Sequence, residues 1–129
     1  MTLTLDNPTT VPAPAGPYAH VARIDLGDRA LLVLSGQIAA DENGEVHGDI
    51  VAQSERIFEL VRGILEAHGS SFEQVAHIRT FMTDLDDLPG YGTVRRRLFP
   101  HAPASTTVEV SRLFKPGALL EVEVTAVAG

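Results

Sequence analysis

The stretch Pro103-Ala104-Ser105-Thr106-Thr107-Val108-Glu109-Val110, with the turn Lys115-Pro116-Gly117 and the run Ala118 to Val127, decides how this chain is read. Thr106, Val108 and Val110 alternate with Ser105, Thr107, Glu109 and Ser111, and Leu120, Val122 and Val124 alternate with Glu121, Glu123 and Thr125. Successive side chains of a strand point to opposite faces, so each run carries an apolar face and a face of hydroxyls and carboxylates. The spacing predicts a closing hairpin with one apolar and one polar side.

Upstream, Asp49 to His68 sets Ile50, Ile57, Leu60, Val61, Ile64 and Leu65 on one helical face, with Asp49 as N-cap and Gly69 in the C′ position. Val75 to Met82, rich in β-branched and aromatic residues, reads as a strand, with helix as the rival. Pro89 opens a weaker helical pattern through Leu88, Tyr91, Val94 or Arg95, and Leu98, diluted by Gly90 and Gly92. Nearer the start, Ala19 to Leu26 and Ala30 to Leu34 flank Gly27-Asp28 and form a first hairpin. Pro12, Pro14 and Pro17 disfavour helix before it, so residues 1–15 read as an extended N-terminal arm. The order strand, strand, helix, strand, helix, strand, strand describes one α+β domain over 1–129, a mostly antiparallel sheet with two helices on one face. Its other face must meet water or further copies of the chain.

The chain has 129 residues, enough for one core, and a formal charge of −7. That balance lacks the footprint nucleic acid or an anionic membrane requires, and neither is an expected partner. Without cysteine there are no disulfides, thiolate nucleophiles or cysteine metal sites. Met1 to Thr10 lacks a signal-peptide pattern and no apolar run is long enough to span a bilayer, so a cytoplasmic location is expected. Lys115 is the only lysine and sits in a turn, which disfavours Schiff-base chemistry.

His20, His47, His68, His77 and His101 fall on separate elements without ligand spacing and read as surface or turn residues; no metal site is expected. Asp84-Leu85-Asp86-Asp87 is too interrupted by Leu88 and Pro89 for a calcium loop and reads as helix capping. Gly90-Tyr91-Gly92 lacks a dinucleotide-binding context, so no cofactor is expected. Arg95-Arg96-Arg97 is either a solvated helix face or an anion site. Glu121 and Glu123 share a strand face, where mutual repulsion raises one pKa; they are either a solvated pair or the seat of a general base.

Gly16-Pro17-Tyr18, Ser35-Gly36-Gln37-Ile38, Glu66-Ala67-His68-Gly69, Phe81 through Asp84-Leu85, Pro103-Ala104, Val108-Glu109-Val110 with Arg112-Leu113, and Leu120-Glu121-Val122-Glu123 follow one another from Gly16 to Ala128. Together they resemble the reactive-intermediate deaminase family, RidA/YjgF, called L-PSP endoribonuclease in older usage. The resemblance implies a chorismate-mutase-like α+β fold and a homotrimer whose sheets form a central barrel, with small-molecule clefts between subunits and no metal or cofactor. It places Glu121 as the residue that activates water against a C=N carbon, and Tyr18, Ser35 and Gly36 in the pocket.

In deaminating members an arginine after Pro-Ala clamps the substrate carboxylate; here that position is Ser105. Ala19, Thr107, Gly92 and Arg95 depart from the family pattern as well, Arg95 standing where a tyrosine is frequent. Loss of a bidentate charge-assisted contact costs about 3 kcal/mol of binding, enough to slow 2-imino acid turnover about a hundredfold. The implied function is a hydrolase or deaminase of altered specificity, with Ser105 and Thr107 as hydrogen-bond donors to substrate. The alternative is a non-catalytic ligand-binding or regulatory trimer. Ribonuclease activity fits poorly with the acidic charge and the lack of a histidine pair.

Overall fold

The computed structural model describes residues 2–129. Strands β1 (Thr2–Asp6), β2 (Val21–Leu26) and β3 (Arg29–Leu34) are followed by α1 (Ile50–Ala67), β4 (Val75–Met82), α2 (Leu88–Leu98), β5 (Ala104–Glu109) and β6 (Leu120–Ala128). They build a single six-stranded sheet of order β1-β2-β3-β6-β4-β5, antiparallel at every pairing except β4 with β5. This is the expected α+β architecture, mostly antiparallel with two helices.

Helix α1 forms where its caps and apolar spacing agree. Asp49 accepts a hydrogen bond from the Ala52 amide at 2.9 Å, and Gly69 takes the left-handed φ of 72° that ends the helix. Ile57, Val61, Ile64 and Leu65 bury one face against Leu32, Leu34, Ile78, Leu120, Val122 and Val124 of the sheet. Phe58 adds an aromatic seam, 6.2 Å from the Tyr91 ring of α2 and 5.1 Å from that of Phe99. Val75–Met82 is a strand, paired on both sides, which settles the helix alternative.

The closing hairpin does not form. β5 pairs with β4 in parallel, and β4 lies between β5 and β6. Parallel neighbours need a crossover, and α2 provides it between β4 and β5. Residues 110–119 then carry the chain over β4, so that β6 enters between β3 and β4.

The consequence is a reversal of side-chain facing. Ser105 and Thr107 are opposite Ile78 and Thr80, on the helix-covered face. Glu121 and Glu123 are opposite Phe81 and Arg79, on the bare face. The two polar rows, expected on one side, lie on opposite sides of the sheet.

The segment read as an extended arm begins with β1, which pairs with β2 from Thr2 opposite Asp25 to Asp6 opposite Val21. His68 Nε2 meets Asp6 Oδ2 at 2.8 Å and ties β1 to the end of α1. The bare face displays Leu3, Leu5, Val33, Val108 and Val127, all exposed. No helix among the described residues is long and apolar enough to cross a membrane.

Candidate functional site

Two polar groupings stand out, one on each side of the sheet. The first begins where the chain leaves β3. Gln37 and Val122 exchange backbone hydrogen bonds at 2.8 and 3.0 Å, which lays Ser35-Gly36 along the start of β6. Glu121 is thereby brought against Gly36: a Cβ on residue 36 would stand 2.9 Å from the Glu121 carboxyl carbon. A glycine is what lets the carboxylate lie flat on the backbone.

Glu121 is partly buried. Its pKa is raised above the ordinary carboxylate value, first by desolvation and then by the charge of Glu123. Glu123 itself is paired with Arg79 at 3.3 Å, whereas no group among the described residues donates a hydrogen bond to Glu121. An unpartnered, partly desolvated carboxylate of raised pKa is suited to accept a proton from water.

Gly36 also lines a cavity of about 390 Å³, roofed by the proline-rich segment with Pro14 and Tyr18, floored by Ile38 and walled by Phe114 and Lys115. The roof is held by a buried polar chain. His20 Nε2 donates to the Pro12 carbonyl at 2.7 Å, because a carbonyl can only accept; its Nδ1 then accepts from Gln37 Nε2 at 3.2 Å. Asn7 Oδ1 accepts from the His20 amide at 2.9 Å, and Ser35 Oγ donates to the Ala19 carbonyl at 2.6 Å. Tyr18, part of the cavity lining, stays 44 % exposed. Asp41, also on the cavity lining, is held below the usual carboxylate range first by the Glu45 amide; desolvation opposes this, and the Asn43 amide and His47 add to the lowering.

The second grouping lies at the β5 edge. Ser105 is exposed and Thr107 partly so. Arg95 of α2 donates from Nη1 to Ser105 Oγ at 3.0 Å and to Tyr91 Oη at 3.4 Å. Tyr91 Oη is hydrogen-bonded to Thr80 Oγ1 on β4. Tyr91 is buried, and desolvation raises its pKa despite the opposing influence of Thr80 and Arg95.

The structure therefore places Tyr18 and Gly36 on one cavity, sets Glu121 against Gly36 without making it part of the cavity lining, and leaves Ser105 and Thr107 on the sheet face opposite Glu121. Ser35 is next to the cavity, but its hydroxyl is spent on the Ala19 carbonyl. Histidines read as surface or turn residues include two that are not: His20 is buried in the roof and His68 is largely covered beneath β1. Polar chain segments that must be fixed over a cavity need an internal donor, and His20 supplies it. Sequence reading also passed over Phe114 and Lys115 as cavity walls. The i, i+4 spacing of Tyr91 and Arg95 was the available signal for the second grouping.

Residues 8–128 match the family model described as Endoribonuclease L-PSP. Protein DfrA of Myxococcus xanthus is 38 % identical over 120 residues, 91 % of this chain and 89 % of that one. The 3-aminoacrylate deaminase RutC of Acinetobacter baylyi is 34 % identical over 118 residues, covering 89 % and 90 %. Among solved structures, the YjgF gene product of E. coli superposes with a TM-score of 0.83 at 30 % identity, covering 96 % of this chain and 98 % of that one.

Proposed function

Because this chain belongs to the endoribonuclease L-PSP family, the RidA/YjgF group, we propose that it is a cofactor-independent small-molecule hydrolase or deaminase of altered specificity, acting in clefts between the subunits of a homotrimer. The observation that carries the reading is Glu121: a partly buried carboxylate of raised pKa, without a hydrogen-bond donor among the described residues, resting on a glycine that lines the cavity.

Glu121 takes a proton from water as the oxygen attacks the carbon of a C=N bond. The proton passes to nitrogen, and the tetrahedral intermediate collapses to a carbonyl product and ammonia. Water supplies both the oxygen and the hydrogens, so imine plus water gives carbonyl plus ammonia without an oxidant or reductant. Tyr18 and Gly36 shape the pocket around the reacting group, Ser35 fixes its roof, and Ser105 and Thr107 of a neighbouring subunit donate hydrogen bonds to substrate. The relative named as a 3-aminoacrylate deaminase supports ammonia release as the class of reaction.

Two features support a cleft shared between copies. Glu121 and Ser105 lie on opposite faces of one sheet, so a single chain cannot direct both at one substrate. The bare face, with Leu3, Leu5, Val33, Val108 and Val127 exposed, has the apolar surface that three copies would bury around a common axis.

Because Ser105 stands where the family arginine is expected, 2-imino acids are poor substrates. Imino acids generated by an amino-acid oxidase test this directly. Decay much slower than with an arginine-bearing relative, and a gain with Ser105→Arg, are expected; equal decay would overturn the reading of Ser105. In a non-catalytic binder, Glu121→Gln would be tolerated far better than in a hydrolase.

A further inference from the structure

The charged groups that line the cavity beside Gly36 already have partners. Asp41 accepts through Oδ1 from the Asn43 and Glu45 amides at 2.8 and 2.9 Å, and its Oδ2 meets His47 Nε2 at 3.2 Å. Glu42 stands 4.0 Å from Arg56, and Lys115, the fixed cation of the lining, has its Nζ 3.7 Å from Glu45. Much of the remaining wall is apolar, with Pro14, Ile38, Leu60 and Phe114. A volume of about 390 Å³ is within the range of small-molecule sites.

One buried polar atom of the lining is left over. Gln37 is 7 % exposed, and its Nε2 donates to His20 Nδ1 at 3.2 Å and to the Ser35 carbonyl at 3.3 Å. Its Oε1 accepts no hydrogen bond among the described residues. No sealed side-chain oxygen or nitrogen among them lacks a partner, so Oε1 reaches open space, and Gln37 lines the cavity. The direction of the amide is fixed by a chain of donors. The Pro12 carbonyl accepts from His20 Nε2, a neutral ring that donates there accepts at Nδ1, and the amide nitrogen of Gln37 is the donor that meets it. Turning the amide over would set Oε1 against the Ser35 carbonyl and the His20 lone pair. The backbone is held as firmly: both polar groups of Gln37 pair with Val122, one residue from the glycine on which Glu121 lies.

We propose that Gln37 Oε1 is the polar contact of the cavity, so that the substrate is an uncharged, apolar imine whose own N–H donates to it, and that His20 is a positioning residue that holds the amide in this direction. This rests on the proposed site and deepens it. The walls offer a ligand carboxylate no unpaired cation, which agrees with poor turnover of 2-imino acids.

Phenylacetamide, its N,N-dimethyl derivative and phenylacetate share one apolar body and serve as probes, with binding measured by calorimetry on the full-length protein. The primary amide should bind about tenfold tighter than the dimethyl amide, which has no N–H, and tighter than phenylacetate. Gln37→Met should bring the two amides within about twofold of each other, whereas a purely steric preference would survive that change. His20→Phe should lower both affinities and also reduce their ratio severalfold, while Phe114→Ala should lower both and leave the ratio intact. Equal binding of the two amides by the parent, tighter binding of phenylacetate, or an intact ratio in Gln37→Met overturns the proposal; an intact ratio in His20→Phe removes His20 from it. The parent comparison decides even where a variant fails to fold. Glu121→Gln separates the two readings: it should keep the amide ratio and lose turnover, and turnover that survives would sink the role of Glu121 while leaving Gln37 in place.

Discussion

Glu121 lies on the backbone of Gly36 so closely that a Cβ at residue 36 would come within 2.9 Å of its carboxyl carbon. Gly36→Ala must therefore push the carboxylate off the Gly36 backbone. The displaced group is the end of a flexible side chain, so stability should fall by only about 1 kcal/mol. Turnover should fall by about tenfold or more. Thermal melts beside steady-state rates separate the two effects, and a variant that loses both in proportion would point to misfolding.

The raised pKa of Glu121 also has a sign that equilibrium unfolding can read. A carboxylate whose folded pKa exceeds its unfolded value favours folding when protonated, below the unfolded value, and that contribution is lost as pH rises through the folded pKa. At neutral pH the ionised form is a liability. Glu121→Gln should be more stable than the parent at pH 7, and the gap should close as the pH is lowered through the ordinary carboxylate range. A gap that widens toward acid would contradict the desolvation account. The same shift should place the acid limb of the pH–rate profile above an ordinary glutamate.

Gln53 is buried in α1, where it donates to the Gly48 and Gly117 carbonyls at 3.0 and 2.9 Å and accepts from the Leu119 amide at 2.9 Å. It thereby fastens the loop that leads into β6 and so the start of the strand that carries Glu121. Gln53→Leu fills the volume but strands three backbone groups, at a cost of about 3 kcal/mol. For a domain of this size the melting temperature should drop by roughly 10 °C.

On the bare face, Val127→Arg puts a charge where the homotrimer reading buries apolar surface. β6 retains its helix-side packing, so the chain should stay folded with a melting curve close to the parent. Sedimentation should show a monomer, and turnover should disappear with the shared cleft. A folded variant that remains trimeric would remove the bare face from the interface.

Some of this molecule is legible in its sequence and some is not, for reasons particular residues make clear. Helix α1 can be read because Asp49, the 3.6-residue spacing and Gly69 all agree. β5 and β6 can be read as strands, but alternation says only that neighbours face apart. It does not say which strand pairs with which, and a direct hairpin would put Ser105 and Glu121 on one side, whereas β4 stands between β5 and β6 and sets them on opposite faces. β1 had its signal in the alternation of Leu3 and Leu5 before Pro8. Arg95 could not be singled out from Arg96 and Arg97 without the register that sets α2 over Ser105. Gly36 and Glu121, more than eighty residues apart, meet because Gln37 pairs with Val122.

The central claim is tested most directly by ammonia release from imines and enamines generated in place, with the parent and Glu121→Gln compared at pH 7. The account predicts release from at least one member of the panel and a loss of about a hundredfold or more in the variant. Equal release by the two proteins would contradict it.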